Sequence, residues 1–343
     1  MHEKKQHVKS THRLHPYDWM LRNMALRFIR QRKFRFRRDA KHIRSFAYLY
    51  GRLAGEDDRQ LLKDVADVRL LGSRFERFRE FEKKYIENMR KIDAEFSATG
   101  QCLVNMRDYG LTESDVWIEI SHHPDLVSYV LTCFICGQYQ HPWVALGADD
   151  CCLDIGAYKG ETSLLLADRL ASGERGGRVY AVEFGVDQVN ALRRNLQRNA
   201  ELAKRIHLIA NPLWSQSDMT VYMTGSDIGT KIGFENPGGE DCRQFQTLTL
   251  DDMVEKHAIP KVSMIKMDVE GAEYPILLGA RETLRRHKPL LALSIYHSHE
   301  DFSRIPQFLD TLDCGYEFSL GHYTSTRPET ILYARSAATP TAL

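Results

Sequence analysis

The sequence predicts an α/β fold, a doubly wound sheet with a reversed C-terminal strand, preceded by a helical N-terminal region. Three observations predict it. Strand and helix patterns alternate after Asp149; a glycine turn, Asp154-Ile-Gly-Ala-Tyr-Lys-Gly160, joins an apolar run to a helical pattern; and a polar run, Lys266-Met-Asp268-Val-Glu270-Gly-Ala-Glu273, follows another apolar stretch. Repetition of βαβ units implies a parallel sheet with helices on both faces. The expected elements are a strand at 151–153, a helix at 161–170, a strand at 178–183, a helix at 188–200 and a strand at 206–210. A strand at 262–268, one helix over 273–287, a strand at 290–296 and a closing hairpin of 316–320 with 330–334 complete the sheet. Residues 219–247, with several glycines and Pro237-Gly-Gly239, read as a long binding loop.

Four regions are expected: a basic arm over 1–44, a helical accessory region over 45–137, the catalytic domain over 138–335 and a tail over 336–343. Helical periodicity over 43–50, 60–71 and 75–96 defines the second, which also holds strand-like residues near 115–120 and a buried segment at 126–135. It is expected to cover an edge or mouth of the catalytic domain. Net charge is +1, yet residues 1–44 carry 14 Lys/Arg against 3 Asp/Glu, leaving an acidic remainder. Over 17–38, aromatic and aliphatic residues interleave with arginines. That pattern fits a helix lying on an anionic membrane surface, an arm for nucleic acid, or a helix packing its aromatics on the domain or on a second copy of the chain. The absence of a secretory leader pattern and of a spanning apolar run predicts a cytoplasmic protein, with peripheral membrane contact through 17–38 as an option.

Seven cysteines, an odd number, fit a reducing compartment. Cys133 and Cys136 have metal or redox spacing but no matching second pair. Adjacent Cys151 and Cys152 point to opposite faces of a strand, so the cysteines read as small core residues and no metal site is assigned.

The glycine turn is built to hold a nucleotide-like cofactor. Gly156 and Gly160 admit close backbone approach, and Asp154 places a charge beneath. A dinucleotide fingerprint needs glycine where Tyr158 and Glu161 stand. The carboxylate at the third position opposes a pyrophosphate and tolerates a cation, which argues against a nicotinamide oxidoreductase and selects S-adenosylmethionine. In such sheets ligands bind beyond the carboxyl ends of the strands. Glu183, ending the second strand, can accept both ribose hydroxyls; Leu213 and Trp214 follow the third and either flank the adenine or pack in the core.

Asp154-Ile-Gly-Ala, Val182-Glu183-Phe184, Ile265-Lys-Met-Asp-Val-Glu-Gly-Ala-Glu273 with Gly279-Ala280, and Ser294-Ile-Tyr-His-Ser-His-Glu-Asp301 resemble the FkbM family of S-adenosylmethionine-dependent methyltransferases. The likeness spans 138–335 and rests most on the I-K-M-D-V-E-G-A-E run. It implies a class I, Rossmann-like methyltransferase fold of seven strands and O-methylation of a sugar or other metabolite hydroxyl. Tyr158 departs from the general glycine-rich pattern. The cofactor-binding set on this likeness is Asp154, Gly156, Ala157, Tyr158, Gly160, Thr162, Glu183, Phe184, Leu213 and Asp268.

Methyl transfer needs an aligned hydroxyl and a general base. His297 is the first choice, because imidazole titrates near neutrality, with Asp268 or Glu270 the alternative. Lys266 either takes a direct catalytic role or pairs with Glu273 to orient the turn. Asp268 could equally cap the following helix. His297, His299, Glu300 and Asp301 are candidate metal ligands, but no second carboxylate cluster in the sequence supports them. The expected activity is methylation of a sugar hydroxyl in a glycan or glycolipid. Alternatives are another small-molecule hydroxyl, RNA, or a non-catalytic binding protein on the same scaffold.

Overall fold

The computed structural model describes residues 36–71, 79–100, 102–171, 176–225, 231–239 and 242–336. Of the basic arm expected over 1–44, residues 1–35 lie outside them and the rest opens a helix, Phe36–Arg52; the tail after Ser336 lies outside them as well.

The centre is a seven-stranded sheet of β3 (Cys151–Ile155), β4 (Arg178–Val182), β5 (Ile206–Ile209), β9 (Met264–Met267), β10 (Leu290–Ser294), β11 (Tyr316–His322) and β12 (Thr330–Ser336), in the order β11-β12-β10-β9-β3-β4-β5. β12 runs antiparallel to both neighbours, and the pairs from β10 through β5 are parallel. The expected reversed strand is therefore present. β3, β9 and β10 are buried along their whole length, as covered parallel strands must be.

Helices cover both faces. On one, α1 (Phe36–Arg52), α2 (Glu56–Leu71), α8 (Leu250–Lys256), α9 (Glu273–Leu278), α10 (Arg281–His287) and α11 (Asp301–Asp310) share a core with β9 and β10. α1 earns its place by spacing: Ile43, Phe46, Ala47 and Tyr50 recur at three and four residues. Phe46 packs on Phe302 at 4.5 Å, and Arg52 pairs with Asp310 at 2.6 Å. On the other face lie α3 (Arg79–Thr99), α4 (Pro124–Ile135), α5 (Glu161–Ala171), α6 (Val186–Arg198) and the short α7 (Ala200–Ala203). Cys151 belongs to the first core and Cys152 to the second, and all seven cysteines are free. The strand-like residues near 115–120 become β2 (Trp117–Glu119), paired antiparallel with β1 (Leu103–Asn105).

Three expectations are corrected. The loop at 219–247 is a small antiparallel sheet, β7-β6-β8, of β6 (Thr220–Thr224), β7 (Lys231–Gly233) and β8 (Arg243–Gln246). The single helix over 273–287 is α9 and α10, interrupted at Gly279 and Ala280; residue 279 must be glycine, because a Cβ there would stand 2.6 Å from the Trp214 carbonyl oxygen. The Asp251 carboxylate caps the restarted helix by accepting the N–H groups of Glu282 and Thr283. Finally, α1 runs through Gly51 instead of ending at it. No helix among the described residues is long and apolar enough to cross a membrane.

Candidate active site

The ends of β3, β4, β9 and β10 meet where the strand order reverses, between β3 and β9. Parallel register puts Asp154 directly beside Lys266. Their side chains pair at 2.9 Å with 0% and 4% exposure, and Ser163 donates to the other Asp154 oxygen at 2.6 Å. Lys266 also donates to the Gly156 carbonyl at 2.7 Å. Burial disfavours its charge, but Asp154 and Asp268 more than compensate and raise its pKa. The expected pairing of Lys266 with Glu273 is thus corrected: Lys266 lies under the glycine turn, and Glu273 instead serves His297.

Gly156 has φ +78°, and a Cβ there would lie 1.9 Å from the Asp268 carbonyl oxygen. Only glycine permits this crossing of the turn over the end of β9. We expect Gly156→Ala to abolish S-adenosylmethionine binding in calorimetry; an alanine variant binding normally would mean the turn does not form the cradle. The N–H groups of Gly156 and Ala157 donate to the Val182 carbonyl, seating the turn against β4. Glu183 accepts the N–H groups of Phe184 and Gly185 on one oxygen and that of Tyr158, at 3.1 Å, on the other, which keeps acceptor capacity facing the turn. Burial raises the Glu183 pKa against those three bonds.

Gly160 precedes α5, where Thr162 is buried. Glu161 is also buried, its Oε2 has no hydrogen-bond partner, and burial pushes its pKa up to about 7. Phe184 meets Phe245 of the small sheet edge on at 5.4 Å, so that sheet stands beside the cofactor side of the cleft. Leu213 packs in the core, and Trp214 lies half-buried against Phe234 at 5.0 Å.

The opposite wall is acidic. His297, 10% exposed, stands 2.9 Å from Glu273, 3.4 Å from Glu270 and 3.6 Å from Asp268. Burial alone would depress its pKa, but the three carboxylates raise it to about 10. The three carboxylates thus favour the protonated ring, which counts against the expectation of an imidazole titrating near neutrality. A raised pKa contributes stability that is complete below the unfolded value near 6.5 and lost as pH rises through about 10. Urea unfolding of the wild type should therefore lose a few kcal/mol from pH 6 to 10, and His297→Gln should lack that slope; parallel pH dependences would refute the caged imidazolium.

Glu270 is 91% exposed with φ +54°, and His297 lowers its pKa. Asp268 accepts the Tyr296 hydroxyl at 3.1 and 3.3 Å. Burial raises the Asp268 pKa, opposed by Lys266 and His297. It does not cap α9: Glu273 itself accepts the N–H of Val269 at 2.9 Å. The donor atoms of Asp268, Glu273 and His297 lie within 4.8 Å of one another, but a metal ion there would require His297 to give up its proton. The set weighed from sequence is not assembled, because Asp301 is engaged by Arg304 and the Ser298 N–H, and Glu300 by the Ser298 hydroxyl.

Sequence reasoning missed Glu329, in the turn before β12. Its carboxylate accepts Gln138 at 2.7 Å and the Tyr129 hydroxyl at 3.4 Å, and lies 3.5 Å from the Tyr296 oxygen, whose proton goes to Asp268. Burial, then the Asp268 charge, pushes its pKa up to about 7. Tyr139, Tyr158, Glu270 and Glu329 are four of the eight described non-glycine residues with positive φ, and all four surround this cleft. Strain of that kind collects at functional sites. Arg69 of α2 donates to the carbonyls of Tyr296 and Arg327 at 2.7 and 2.8 Å, gripping both segments that carry the acidic wall.

A family model described as the methyltransferase FkbM domain matches residues 154–318. Among solved structures, the methyltransferase FkbM of Methylobacillus flagellatus KT aligns with TM-score 0.56 and 20% identity over 86% of this chain. This chain spans 60% of that protein's length. Aeropyrum pernix fibrillarin with bound S-adenosyl-L-methionine gives TM-score 0.37 at 17% identity, covering 60% of this chain and 73% of that one. The O-methyltransferase of Bacillus cereus in complex with SAH gives TM-score 0.37 at 15% identity, covering 60% and 80%. No curated protein sequence matches the chain. The glycine turn and the β9 run both lie within the matched segment, and residues 154–318 of this chain match the methyltransferase FkbM domain.

Proposed function

We propose that the protein transfers the methyl group of S-adenosylmethionine to a hydroxyl oxygen, and that the hydroxyl belongs to a sugar of a glycan or glycolipid. The observation that carries this reading is the meeting, at one switch point, of a glycine cradle with an acidic and phenolic wall. Two features of the cradle fit this cofactor. Glu183 retains acceptor capacity for ribose hydroxyls, and the orphaned, buried Glu161 oxygen suits a ligand ammonium. When bound, S-adenosylmethionine supplies an electrophilic methyl carbon on a sulfonium.

The protein's part is alignment and removal of one proton. Asp268 would accept the proton that the acceptor hydroxyl gives up during methyl transfer. Its raised pKa brings a carboxylate closer to the working pH, where general bases act best. Tyr296 orients the carboxylate, and the His297 imidazolium keeps it charged between turnovers. Glu329, Gln138 and Tyr129 extend the wall with the donors and acceptors that a polyol needs.

The test is incubation with methyl-labelled S-adenosylmethionine and an extract of glycans and lipids, followed by mass spectrometry. Label on a sugar hydroxyl is the expected result, unchanged when a chelator is added. Label on RNA or on a non-sugar metabolite would overturn the acceptor assignment. Absence of any heat with S-adenosylmethionine in calorimetry would overturn the enzyme assignment.

A further inference from the structure

Between helices α3 and α4 lies an open surface cleft of about 270 Å³ lined by Tyr85, His123, Asp125, Leu126 and Tyr129. Phe81 stacks on Tyr85 at 6.1 Å and meets Tyr129 edge on at 5.7 Å, so a third ring backs the two that face the space. Tyr129 joins this cleft to the acidic wall. Its hydroxyl lies 3.4 Å from Glu329, which lies 3.5 Å from the Tyr296 hydroxyl, itself 3.1 Å from Asp268.

We propose that this cleft is a subsite for a non-reacting sugar ring of the acceptor, and that the Tyr129–Glu329–Tyr296 relay sets its distance from Asp268. The inference rests on the methyl-transfer reading and adds where the acceptor is recognised. Size favours a small polar ring, since the cleft falls just below the about 300–1,000 Å³ of pockets for drug-sized ligands. The lining chemistry agrees. Tyrosine faces cover the C–H faces of a pyranose, while Asp125, His123 and the Tyr85 phenol exchange hydrogen bonds with its hydroxyls, the Tyr129 hydroxyl being turned to Glu329. None of the lining residues is Lys or Arg, which disfavours a phosphate chain, and Leu126 alone is aliphatic, which disfavours an acyl chain. All of them lie outside residues 154–318, so recognition is supplied by elements added to the matched domain. Remote binding of this kind raises turnover by holding the reacting hydroxyl in place.

The experiment is saturation-transfer NMR on the full chain with methyl glucoside, galactoside, mannoside and rhamnoside, alongside calorimetry with S-adenosylmethionine. At least one pyranoside should receive saturation, and Tyr85→Ala and Asp125→Asn should each raise its Kd about tenfold while the cofactor Kd stays unchanged. Both positions reach the surface, and matching circular-dichroism melts will establish that the variants fold. Tyr129→Phe, which keeps the ring, should bind the pyranoside normally yet lower kcat for labelled methyl transfer, a split that a merely structural ring would not give. No transfer to any pyranoside, or unchanged binding in the variants, overturns the subsite even when the cofactor binds. Absent cofactor heat with pyranoside binding intact overturns the enzyme reading instead.

Discussion

Replacing Asp268 with asparagine is expected to lower kcat by about 10²–10⁴-fold, the range of a lost general base, while the Kd for S-adenosylmethionine changes by less than about threefold. Asparagine keeps the shape and can still meet the Tyr296 hydroxyl, but it cannot take the acceptor's proton. Wild-type kcat should fall as pH drops through the raised pKa of Asp268, because the carboxylate is the active form. Single-turnover assays against pH will read both effects. An asparagine variant retaining full single-turnover rate would move the base elsewhere, and Glu329→Gln is then the next variant to measure.

Lys266→Met should destabilise the protein by about 3–5 kcal/mol, the cost of leaving one member of a buried pair without its partner. Asp154 would keep only Ser163, and the Gly156 carbonyl would lose its donor. Restoring balance with Asp154→Asn in the same chain should recover part of the loss, as a double-mutant cycle in urea will show. Additive losses would mean that the two side chains are not energetically coupled. The distinction bears on Lys266 itself: coupling assigns it to the floor of the turn, where its ammonium holds backbone and does not meet the acceptor.

Much of this architecture was legible because parallel strands buried on two faces must be apolar runs, and the glycine turn marks where one of them ends. Register then followed from βαβ connectivity, so the joint placement of Asp154, Gly156, Glu183, Asp268 and His297 could be anticipated. The charge state of His297 could not, because it depends on Glu270, Glu273 and Asp268 closing around the ring within 3.6 Å. Glu329 carried no motif. Its role arises from a turn with φ +63° that brings it toward Tyr129 and Gln138, nearly two hundred residues earlier in the chain. The small sheet β7-β6-β8 is hard to see in the sequence because five glycines and Pro237 dominate the pattern of 219–247, whereas its strands are short.

Arg69 makes the border between accessory and catalytic regions a poor place to cut. Its guanidinium, buried enough that its pKa falls to about 10, spans from α2 to the carbonyls of Tyr296 and Arg327. A fragment beginning at residue 138 would keep every strand of the large sheet and still lack the clasp that keeps Tyr296 and Glu329 in step. Evolution or engineering that exchanges the leading helices for another set must therefore supply an equivalent cation from outside, or accept a reaction chamber whose far side drifts.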